Sequence, residues 1–372
     1  MAKTRIEELA EFGQSIWLDS ISRSMITTGS LKEMIGSGLR GMTSNPTIFD
    51  KAISSGNDYA ETIRELHSQG KTTFEIYDDL TVKDVQDAAD LFKTVYEKTD
   101  GLDGYVSLEV NPKLAFQTEE TINEAKRLHK KVNRANVMFK VPATEAGFPA
   151  VEELLSGGIN VNITLIFSLE QYINTAHAYL QGMKRLLDGG GDISTVASVA
   201  SVFVSRVDTA VDTLLDEKIS GEQNKDRKDR LSSLRGKAAV ANSRLIFKKY
   251  QELFSGKEYL QLKEKGGSVQ RVLWGSTGTK NPDYSDIKYV TELIGTPTVN
   301  TLPQQTLDAF VDHGIIEESL TRHRDENDDV VRGLKESGIS LDTVCAALLE
   351  EGLRSFEKSF DSLLNTISQK NR

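Results

Sequence analysis

In four short segments of the chain, polar or ionisable residues alternate with apolar residues. In the segments IWLD, GYVSLEV, NVMFKV and INVNIT, these polar residues are Asp19, Glu109, Lys140, Asn162 and Thr164. Successive residues of a β-strand point to opposite faces, so these side chains share the face opposite the apolar ones. Burying ionisable groups is costly unless they are paired or used. Five polar groups on four strands therefore predict a functional site rather than isolated structural ion pairs.

A lysine among carboxylates and amides suggests covalent chemistry on a carbonyl. An ammonium with an ordinary pKa of about 10.4 is a poor nucleophile at neutral pH, but burial or a nearby cation lowers its pKa. The freed amine of Lys140 could attack a ketone to form a Schiff base, while Glu109 and Asp19 move the protons that dehydration and carbon–carbon cleavage require. The residues whose amides or hydroxyls could fix sugar hydroxyls are Asn45, Asn162, Thr164 and Ser201. The residues alone predict a metal-independent Schiff-base aldolase or lyase.

Two cations are expected on neighbouring loops. Arg206 follows the predicted strand Thr195–Phe203, and Lys280 ends the loop GSTGTK after the next strand. That loop lacks the spacing of a nucleotide-binding P-loop, but its hydroxyls, turn amides and cation suit a phosphate. Barrels of alternating strands and helices commonly bind phosphate on the loops after strands seven and eight. A sugar phosphate is therefore the predicted ligand.

The elements that must carry these residues alternate between short strands and longer helices. The predicted strands are Ile16–Asp19, Leu39–Asn45, Gly104–Val110, Asn136–Pro142, Ile159–Thr164, Thr195–Phe203, Gln270–Ser276 and Pro297–Thr301. Predicted helices include Glu119–Val132, Leu169–Leu187, Ala238–Phe254 and Gln304–His313, with three more in Glu317–Gln369. This alternation predicts an α/β fold, a (β/α)8 TIM barrel with additional helices. No linker divides the chain, so residues 1–372 are expected to form one barrel domain with N-terminal and C-terminal helical extensions.

Composition disfavours several other classes of protein. The 372 residues carry a formal net charge of −10, which disfavours non-specific nucleic-acid binding. No apolar run approaches the roughly 18 residues of a membrane span, and the N-terminus has no apolar signal-peptide core. We therefore expect a cytoplasmic protein without a membrane or nucleic-acid partner, acting as a monomer or a homodimer.

No metal or other cofactor is predicted. The histidines of the chain are His67, His129, His177, His313 and His323. They show no metal-ligand spacing, and the single cysteine, Cys345, cannot make a thiolate zinc site. Its amphipathic helical surroundings predict a buried structural thiol instead. The spacing G-x-G-x-x-G occurs at residues 36–41, but it follows a helical pattern and enters a strand, the reverse of a dinucleotide-binding turn.

The sequence also resembles the transaldolase family, in particular its longer bacterial branch. The segments that carry the resemblance, spread between Ile16 and His313, are SIWLDSISR, GMTSNPTIFDKAI, GYVSLEVNP, NVMFKVPAT, INVNITLIFS, SVFVSR, LWGSTGTKNPDYSD and TPTVNTLP. The run TSNPTIF, followed in order by EV, KVPAT and N-x-T-L-I-F-S, is specific to that family rather than to barrels in general.

The resemblance implies a catalytic role for four residues. Lys140 in MFKVPAT matches the Schiff-base lysine on the fourth strand. Asp19 in WLDS matches the acid/base group that takes the proton of the C4 hydroxyl during cleavage. Glu109 in SLEV and Thr164 in NVNIT match the pair that holds the catalytic water for carbinolamine formation and dehydration.

Substrate-binding residues are implied in the same way. Asn45 in TSNP and Asn162 in INVN match the amides that bind the dihydroxyacetone hydroxyls. Ser201 and Phe203 in SVFVSR match residues lining the same pocket, and Arg206 matches the phosphate-binding arginine.

The second phosphate contact departs from the family pattern. The family carries a serine and an arginine after the seventh strand, and Ser276 fits the serine. The cation is displaced here and appears as Lys280. Arg244 in ANSR is the runner-up for that cation, although its surroundings indicate a helix on which a solvated arginine is the simpler interpretation.

The implied reaction belongs to the pentose phosphate pathway. It moves a three-carbon dihydroxyacetone unit from sedoheptulose 7-phosphate to glyceraldehyde 3-phosphate, giving erythrose 4-phosphate and fructose 6-phosphate. Two alternatives remain open. One is a simple aldolase that releases or takes up free dihydroxyacetone, and the other is a non-catalytic barrel that binds sugar phosphates.

Overall fold

The structure, a computed structural model, describes residues 3–322 and 324–370 apart from the side chains of Arg324 and Asp325. One of the histidines considered above, His323, lies outside the described residues. No helix in the described part of the chain is both long and apolar enough to cross a membrane.

Eight parallel strands close into a barrel in chain order, and the last strand pairs with the first. Their bounds are β1 Gln14–Leu18, β2 Gly41–Thr43, β3 Val106–Glu109, β4 Val137–Pro142, β5 Val161–Ile166, β6 Ser198–Phe203, β7 Arg271–Gly275 and β8 Thr298–Leu302. Each observed strand overlaps one of the predicted strands. The predicted α/β class and (β/α)8 TIM barrel with additional helices are confirmed.

Helices connect the strands and continue beyond them at both ends of the chain. In the described residues they are α1 Arg5–Phe12, α2 Arg23–Thr27, α3 Ser30–Gly36, α4 Pro46–Ser54, α5 Ala60–Ser68, α6 Thr73–Lys98, α7 Thr118–Val132, α8 Gly147–Ser156, α9 Leu169–Asp188, α10 Ser205–Gly221, α11 Lys225–Ser232, α12 Ala238–Phe254, α13 Lys257–Glu264, α14 Lys288–Thr291, α15 Gln304–His313, α16 Arg324–Glu336 and α17 Leu341–Gln369. The predicted helices Ala238–Phe254 and Gln304–His313 match α12 and α15 at both ends.

The prediction of three helices after residue 317 was wrong. The described residues of that segment form two, α16 and α17, and α17 continues through Gly352 without a break. Glycine weakens a helix interior by about 1 kcal/mol relative to alanine. Here it lets α17 approach β5, since a Cβ at Gly352 would lie 3.0 Å from Leu165 Cδ2. Packing against the barrel therefore decides the course of this helix.

The helix α17 lies across the carboxyl end of the barrel. It packs on β5 and on α4, α6 and α10, which follow β2 and β6. The hydroxyls of Ser359 and Thr47 are 2.8 Å apart, and Lys370 Nζ donates to the carbonyl oxygens of Ile53 (2.7 Å) and Gly56 (2.6 Å). The helix thus joins elements from opposite sides of the barrel and covers part of the face on which the strands end.

The barrel lumen is filled toward its amino end. An apolar layer inside the barrel, separate from the core between strands and helices, consists of Trp17, Tyr105, Met138, Val199, Leu273 and Val299. On the amino side of this layer, Arg271 and Asp103 form a buried ion pair at 2.8 Å. The polar residues further along the strands therefore lie toward the carboxyl end, where barrels of this kind carry their active sites.

Candidate active site

Lys140 projects into the barrel lumen from β4. Its ammonium donates a hydrogen bond to the carbonyl oxygen of Ser44 (3.1 Å) and lies 3.7 Å from Glu109 Oε2. In the strand register Glu109 is directly opposite Lys140, and Lys140 is directly opposite Asn162. The alternation in three separate segments therefore brings a carboxylate, an amine and an amide side by side.

Glu109 is a buried carboxyl group that titrates near neutrality. Burial raises its pKa to about 7, and the nearby Asp19 adds to the shift, while Lys140 opposes it. Glu109 Oε2 is buried and accepts no hydrogen bond from the described residues. A carboxyl group with this pKa can both take up and release a proton at neutral pH, which suits general acid–base catalysis.

Thr164 lies on β5 beside Pro142, and its buried hydroxyl has no hydrogen-bond partner within the described part of the chain. The next residue, Leu165, adopts a left-handed backbone with φ of 58°, and the register of β5 against β6 shifts between Ile163 and Ile166. Left-handed backbone is unfavourable for a non-glycine residue and concentrates at functional sites. Thr164 and Glu109 thus both carry hydrogen-bonding capacity that no atom of the described structure uses.

Asp19 follows β1 and accepts a hydrogen bond from the hydroxyl of Thr43 at its Oδ1 (2.7 Å). The Thr43 hydroxyl also lies 2.7 Å from that of Thr301. Because Thr43 gives its only hydroxyl proton to the carboxylate, Thr301 must donate to Thr43. Burial raises the pKa of Asp19, while Lys140, Thr43, Arg206 and Lys280 lower it.

The amide of Asn162 is held by two serines. Its Nδ2 donates to Ser107 Oγ (3.0 Å), and its Oδ1 accepts from Ser201 Oγ (2.6 Å). These three side chains are buried. They lie on three different strands, so their hydrogen bonds fix the orientation of the amide in the lumen.

Asn45 reaches the site at the start of α4. Its Oδ1 caps the helix by accepting from the backbone N–H of Ile48 (2.9 Å). Its Nδ2 makes no hydrogen bond in the described structure, so the side chain can present a donor to a ligand.

Arg206 is the second residue of α10, and its guanidinium lies 5.6 Å from the ring centroid of Phe203. The Phe203 ring packs edge-on against Phe167 at 5.5 Å. Burial lowers the pKa of Arg206, against the charges of Glu351 and Asp19. The aromatic contact and the partial burial hold this cation at the edge of the site.

Ser276 and Lys280 follow β7. The carbonyl oxygen of Ser276 accepts from the N–H of Ser205 (3.0 Å), and the two hydroxyls are 3.1 Å apart. Ser276 itself adopts a left-handed backbone with φ of 53°. The side chain of Lys280 is exposed and forms no ion pair with the described residues. Its charge and that of Arg206 both lower the pKa of Asp19, which places the two cations near the same carboxylate.

Arg244 lies apart from these residues, so its choice as runner-up cation was wrong. Its Nη2 donates to the carbonyl oxygen of Ser319 (2.9 Å). It lines a cavity of about 690 Å³ between α12 and α16, to which none of the other predicted site residues contributes. The sequence showed the helix correctly but could not show that α16 covers this side of it.

Sequence reasoning missed several residues that hold the site together. These are Thr43, Ser44, Ser107 and Thr301. Thr43, Ser107 and Thr301 lie at or near the carboxyl ends of β2, β3 and β8, so the inward phase of those strands is the signal that could have identified them. The contribution of Ser44 comes through its backbone carbonyl, for which the sequence offers no signal.

The single cysteine, Cys345, is buried and poorly suited to act as a nucleophile. Cys345 Sγ contacts the carbonyl oxygen of Phe167 at 3.3 Å, and burial raises the pKa of the thiol to about 12. The predicted structural role of Cys345 agrees with this environment.

In the described residues no group of three or more histidine, cysteine, aspartate or glutamate side chains is arranged to hold a metal ion.

Comparison with known proteins gives matches along nearly the whole chain. The family model described as Transaldolase/Fructose-6-phosphate aldolase matches residues 16–367. A protein named Transaldolase from Trichodesmium erythraeum (strain IMS101) is 45% identical over 373 residues, covering 100% of this chain and 98% of its own. Transaldolase 2 from Nostoc sp. (strain PCC 7120 / SAG 25.82 / UTEX 2576) is 43% identical, with 100% and 98% covered. Transaldolase from Saccharopolyspora erythraea is 45% identical, with 98% and 97% covered.

Proposed function

The chain belongs to the transaldolase/fructose-6-phosphate aldolase family, and we propose that it transfers a dihydroxyacetone unit between sugar phosphates through a Schiff base on Lys140. The donor is sedoheptulose 7-phosphate and the acceptor is glyceraldehyde 3-phosphate, which yields erythrose 4-phosphate and fructose 6-phosphate in the pentose phosphate pathway. The observation that carries this proposal is the Lys140 ammonium, buried in the lumen 3.7 Å from a carboxyl group whose pKa is about 7.

The first half-reaction uses Lys140 and Glu109. Glu109 takes the proton of the ammonium, and the free amine attacks the C2 ketone of the donor to give a carbinolamine. Loss of water from the carbinolamine leaves the iminium, and protonated Glu109 supplies the proton that the departing hydroxyl needs. We propose that Glu109 and Thr164 bind the water of this step, because both have buried oxygens without a hydrogen-bond partner in residues 3–322 and 324–370.

Cleavage then requires a base at the C4 hydroxyl. Asp19 takes that proton, the C3–C4 bond breaks, and its electron pair moves into the iminium to leave an enamine on Lys140. Erythrose 4-phosphate departs as the aldehyde. The reverse steps with glyceraldehyde 3-phosphate form the new C3–C4 bond, and hydrolysis of the iminium releases fructose 6-phosphate.

The enamine must survive until an acceptor arrives. Asn45 and Asn162 are proposed to hold its hydroxyls, and Ser201 fixes the orientation of Asn162 by a hydrogen bond of 2.6 Å. Phe203 closes the pocket beside Arg206. Amides that hold the hydroxyls of the enamine would favour its transfer over its hydrolysis, as a transaldolase rather than a simple aldolase requires.

The phosphate of either substrate is proposed to bind Arg206, Ser276 and Lys280. The guanidinium and the ammonium supply charge, and the Ser276 hydroxyl supplies a hydrogen bond. As part of this proposal the protein is a cytoplasmic enzyme that needs no metal, acting as a monomer or a homodimer. Light scattering of the purified protein in solution would decide between these two assemblies.

Borohydride trapping tests the proposal directly. The protein is incubated with fructose 6-phosphate, reduced and digested, and the peptides are mapped by mass spectrometry. We expect a three-carbon adduct on Lys140, no adduct in Lys140→Met, and an unchanged adduct in the surface control Lys113→Met. Active protein without modification of Lys140 would refute the Schiff base.

A second measurement separates the alternatives. Rapid release of free dihydroxyacetone from fructose 6-phosphate without an acceptor aldehyde would indicate a simple aldolase. Absence of transfer by the wild type, with ligand binding unchanged in Lys140→Met, would indicate a barrel that only binds sugar phosphates.

A further inference from the structure

The loop that carries Lys280 is attached at both ends to the helix that carries Arg206. At its start, Ser276 contacts Ser205 through the backbone (3.0 Å) and the hydroxyls (3.1 Å). At its end, the Tyr284 hydroxyl donates to Asp212 Oδ2 at 2.7 Å. Ser205 and Asp212 both belong to α10, about 10 Å apart along its axis. Lys280 is four residues from each attachment, so both of them determine where its ammonium can lie.

The second attachment is a closely fitted contact. Asp212 is buried, and its other oxygen accepts from the N–H of Gly236 at 2.9 Å. Gly236 has φ of 67°, and a Cβ there would lie 2.7 Å from Tyr284 Cζ. The tyrosine ring therefore packs directly on this glycine while its hydroxyl reaches the carboxylate. Phenylalanine at this position would keep the ring contact and lose only the hydrogen bond.

Few other contacts restrain the loop. Thr277 donates to the carbonyl of Thr301 in β8 at 3.1 Å. Between Thr277 and Tyr284 the hydrogen bonds are local, such as that from Asp283 N–H to Asn281 Oδ1 (2.9 Å), and beyond Tyr284 the carboxylate of Asp286 contacts His313 Nε2 at 3.0 Å. The Lys280 side chain is exposed, with no ion pair to the described residues. Tyr284 is thus the contact after Lys280 that ties the loop to α10, the helix that carries Arg206.

We infer that Tyr284 and Asp212 are positioning residues that set the Lys280 ammonium opposite the Arg206 guanidinium for a substrate phosphate. The inference rests on the proposed function. It explains how Lys280, which lies further along the loop than the arginine of the family pattern, could still reach the phosphate. Holding the loop in place before binding reduces the entropy lost when the lysine is ordered by a ligand. Two cations at a fixed separation favour a phosphate dianion over an uncharged hydroxyl.

Kinetics with a phosphorylated and an unphosphorylated acceptor test this inference. In Tyr284→Phe we expect the KM for glyceraldehyde 3-phosphate to rise about three- to tenfold, the usual effect of losing one hydrogen bond. We expect kcat and all constants for glyceraldehyde to change less than twofold. The matched control is Tyr289→Phe, which removes an equivalent hydrogen bond to α10, from Tyr289 to Asp208 Oδ2 (2.8 Å), outside the loop. Its KM values should remain those of the wild type.

Coupling to Lys280 separates positioning from general loss of structure. Lys280→Met should raise the same KM, and adding Tyr284→Phe to it should have no further effect. An unchanged KM in Tyr284→Phe, an equal rise for both acceptors, or additive effects in the double variant would each overturn the inference.

A binding measurement keeps this result distinct from the proposed function. Inorganic phosphate is titrated calorimetrically into wild type and Tyr284→Phe, so no turnover is needed. Weaker phosphate binding in the variant supports the inference even if the wild type transfers no dihydroxyacetone, whereas equal binding overturns it. Failure to trap an adduct on Lys140 concerns only the proposed reaction.

Discussion

Lys140 Nζ lies 3.7 Å from Glu109 Oε2, and each side chain is only 4% exposed. A charge-assisted hydrogen bond between such groups is about 2.7–2.9 Å long, so the two residues are neighbours without forming a tight ion pair. The carboxyl pKa of about 7 means that Glu109 changes its protonation state near neutral pH, beside the nitrogen with which it is proposed to exchange a proton.

This relationship predicts the pH dependence of the enzyme. Below pH 7 Glu109 becomes protonated and can no longer take the proton of Lys140, so kcat/KM should fall as the pH decreases through about 7. In Glu109→Gln, kcat/KM at pH 8 should be lower by about 10²–10⁴-fold, and the limb near pH 7 should be absent. Glu109→Asp, which keeps a carboxylate, should be slow but retain such a limb. A limb that persists unchanged in Glu109→Gln would assign this titration to another group.

The hydroxyl chain from Thr301 through Thr43 to Asp19 leads to a second prediction. Thr43→Val removes the hydrogen bond that lowers the pKa of Asp19, so this pKa should rise and the base should be ionised only at higher pH. The acidic limb of kcat should therefore move to higher pH, and kcat at any pH on that limb should fall, while kcat above the limb should stay that of the wild type.

Stopped-flow measurement of aldehyde release across pH checks this shift. The control is Thr81→Val, which removes a buried hydroxyl that bonds within α6, to the carbonyl of Tyr77 (3.0 Å). It should leave the profile of the wild type. A Thr43→Val enzyme with an unshifted limb would show that the threonine chain does not act on Asp19.

Strand periodicity explains why the inward residues could be predicted. Alternation in GYVSLEV and NVMFKV assigns Glu109 and Lys140 to the lumen, because each strand has one apolar face. It does not determine how far one strand is shifted against the next. The register that places Glu109 beside Lys140, and Lys140 beside Asn162, is therefore visible only in the structure.

Features formed by contacts between distant segments were the hardest to predict. A helical pattern around Arg244 is clear in the sequence, but the cover that α16 provides depends on how the C-terminal region packs. The same holds for Gly352, which weakens a helix interior. It lies inside α17, where its lack of a side chain allows close contact with Leu165. Local patterns specify elements, whereas tertiary packing decides which of their faces are exposed.

The carboxyl group of Asp208 predicts a stability that depends on pH. Burial raises its pKa to about 6, although the N–H of Ala239 (2.7 Å) and the hydroxyl of Tyr289 (2.8 Å) both donate to it. The folded pKa lies above that of the unfolded chain, about 3.9. The group therefore stabilises the fold at low pH, and this contribution is lost as the pH rises through about 6.

In Asp208→Asn the loss of stability above about pH 6 should disappear, because asparagine does not ionise. At pH 8 the free energy of unfolding should rise by about 1–2 kcal/mol, the titration gain less the cost of leaving the Tyr289 hydroxyl proton without an acceptor. At pH 4 the variant should be no more stable than the wild type. Denaturant unfolding at both pH values checks this, with the exposed Asp226→Asn as the control. A variant that is destabilised equally at pH 4 and pH 8 would contradict the assigned titration.

The buried ion pair at the amino end of the barrel should matter for stability but not for chemistry. Asp103 also accepts from Ser15 Oγ (2.7 Å), and Arg271 donates to the same hydroxyl (2.8 Å), so three strand regions meet at this pair. Arg271→Met leaves the Asp103 carboxylate buried without its partner, which should lower the free energy of unfolding by about 3–5 kcal/mol. Breaking the exposed pair Arg230–Glu336 instead should cost less than about 1 kcal/mol.

Removing both partners of the buried pair tests whether the cost comes from the uncompensated charge. Arg271→Met combined with Asp103→Leu should be less destabilised than the sum of the two single variants, because neither charge then remains alone in the core. An apolar layer that includes Trp17 and Met138 separates the pair from Lys140. Below the unfolding transition, each variant should therefore trap the three-carbon adduct as the wild type does. Additive losses of stability would mean that the polar contacts themselves, rather than an unpaired charge, hold this end of the barrel closed.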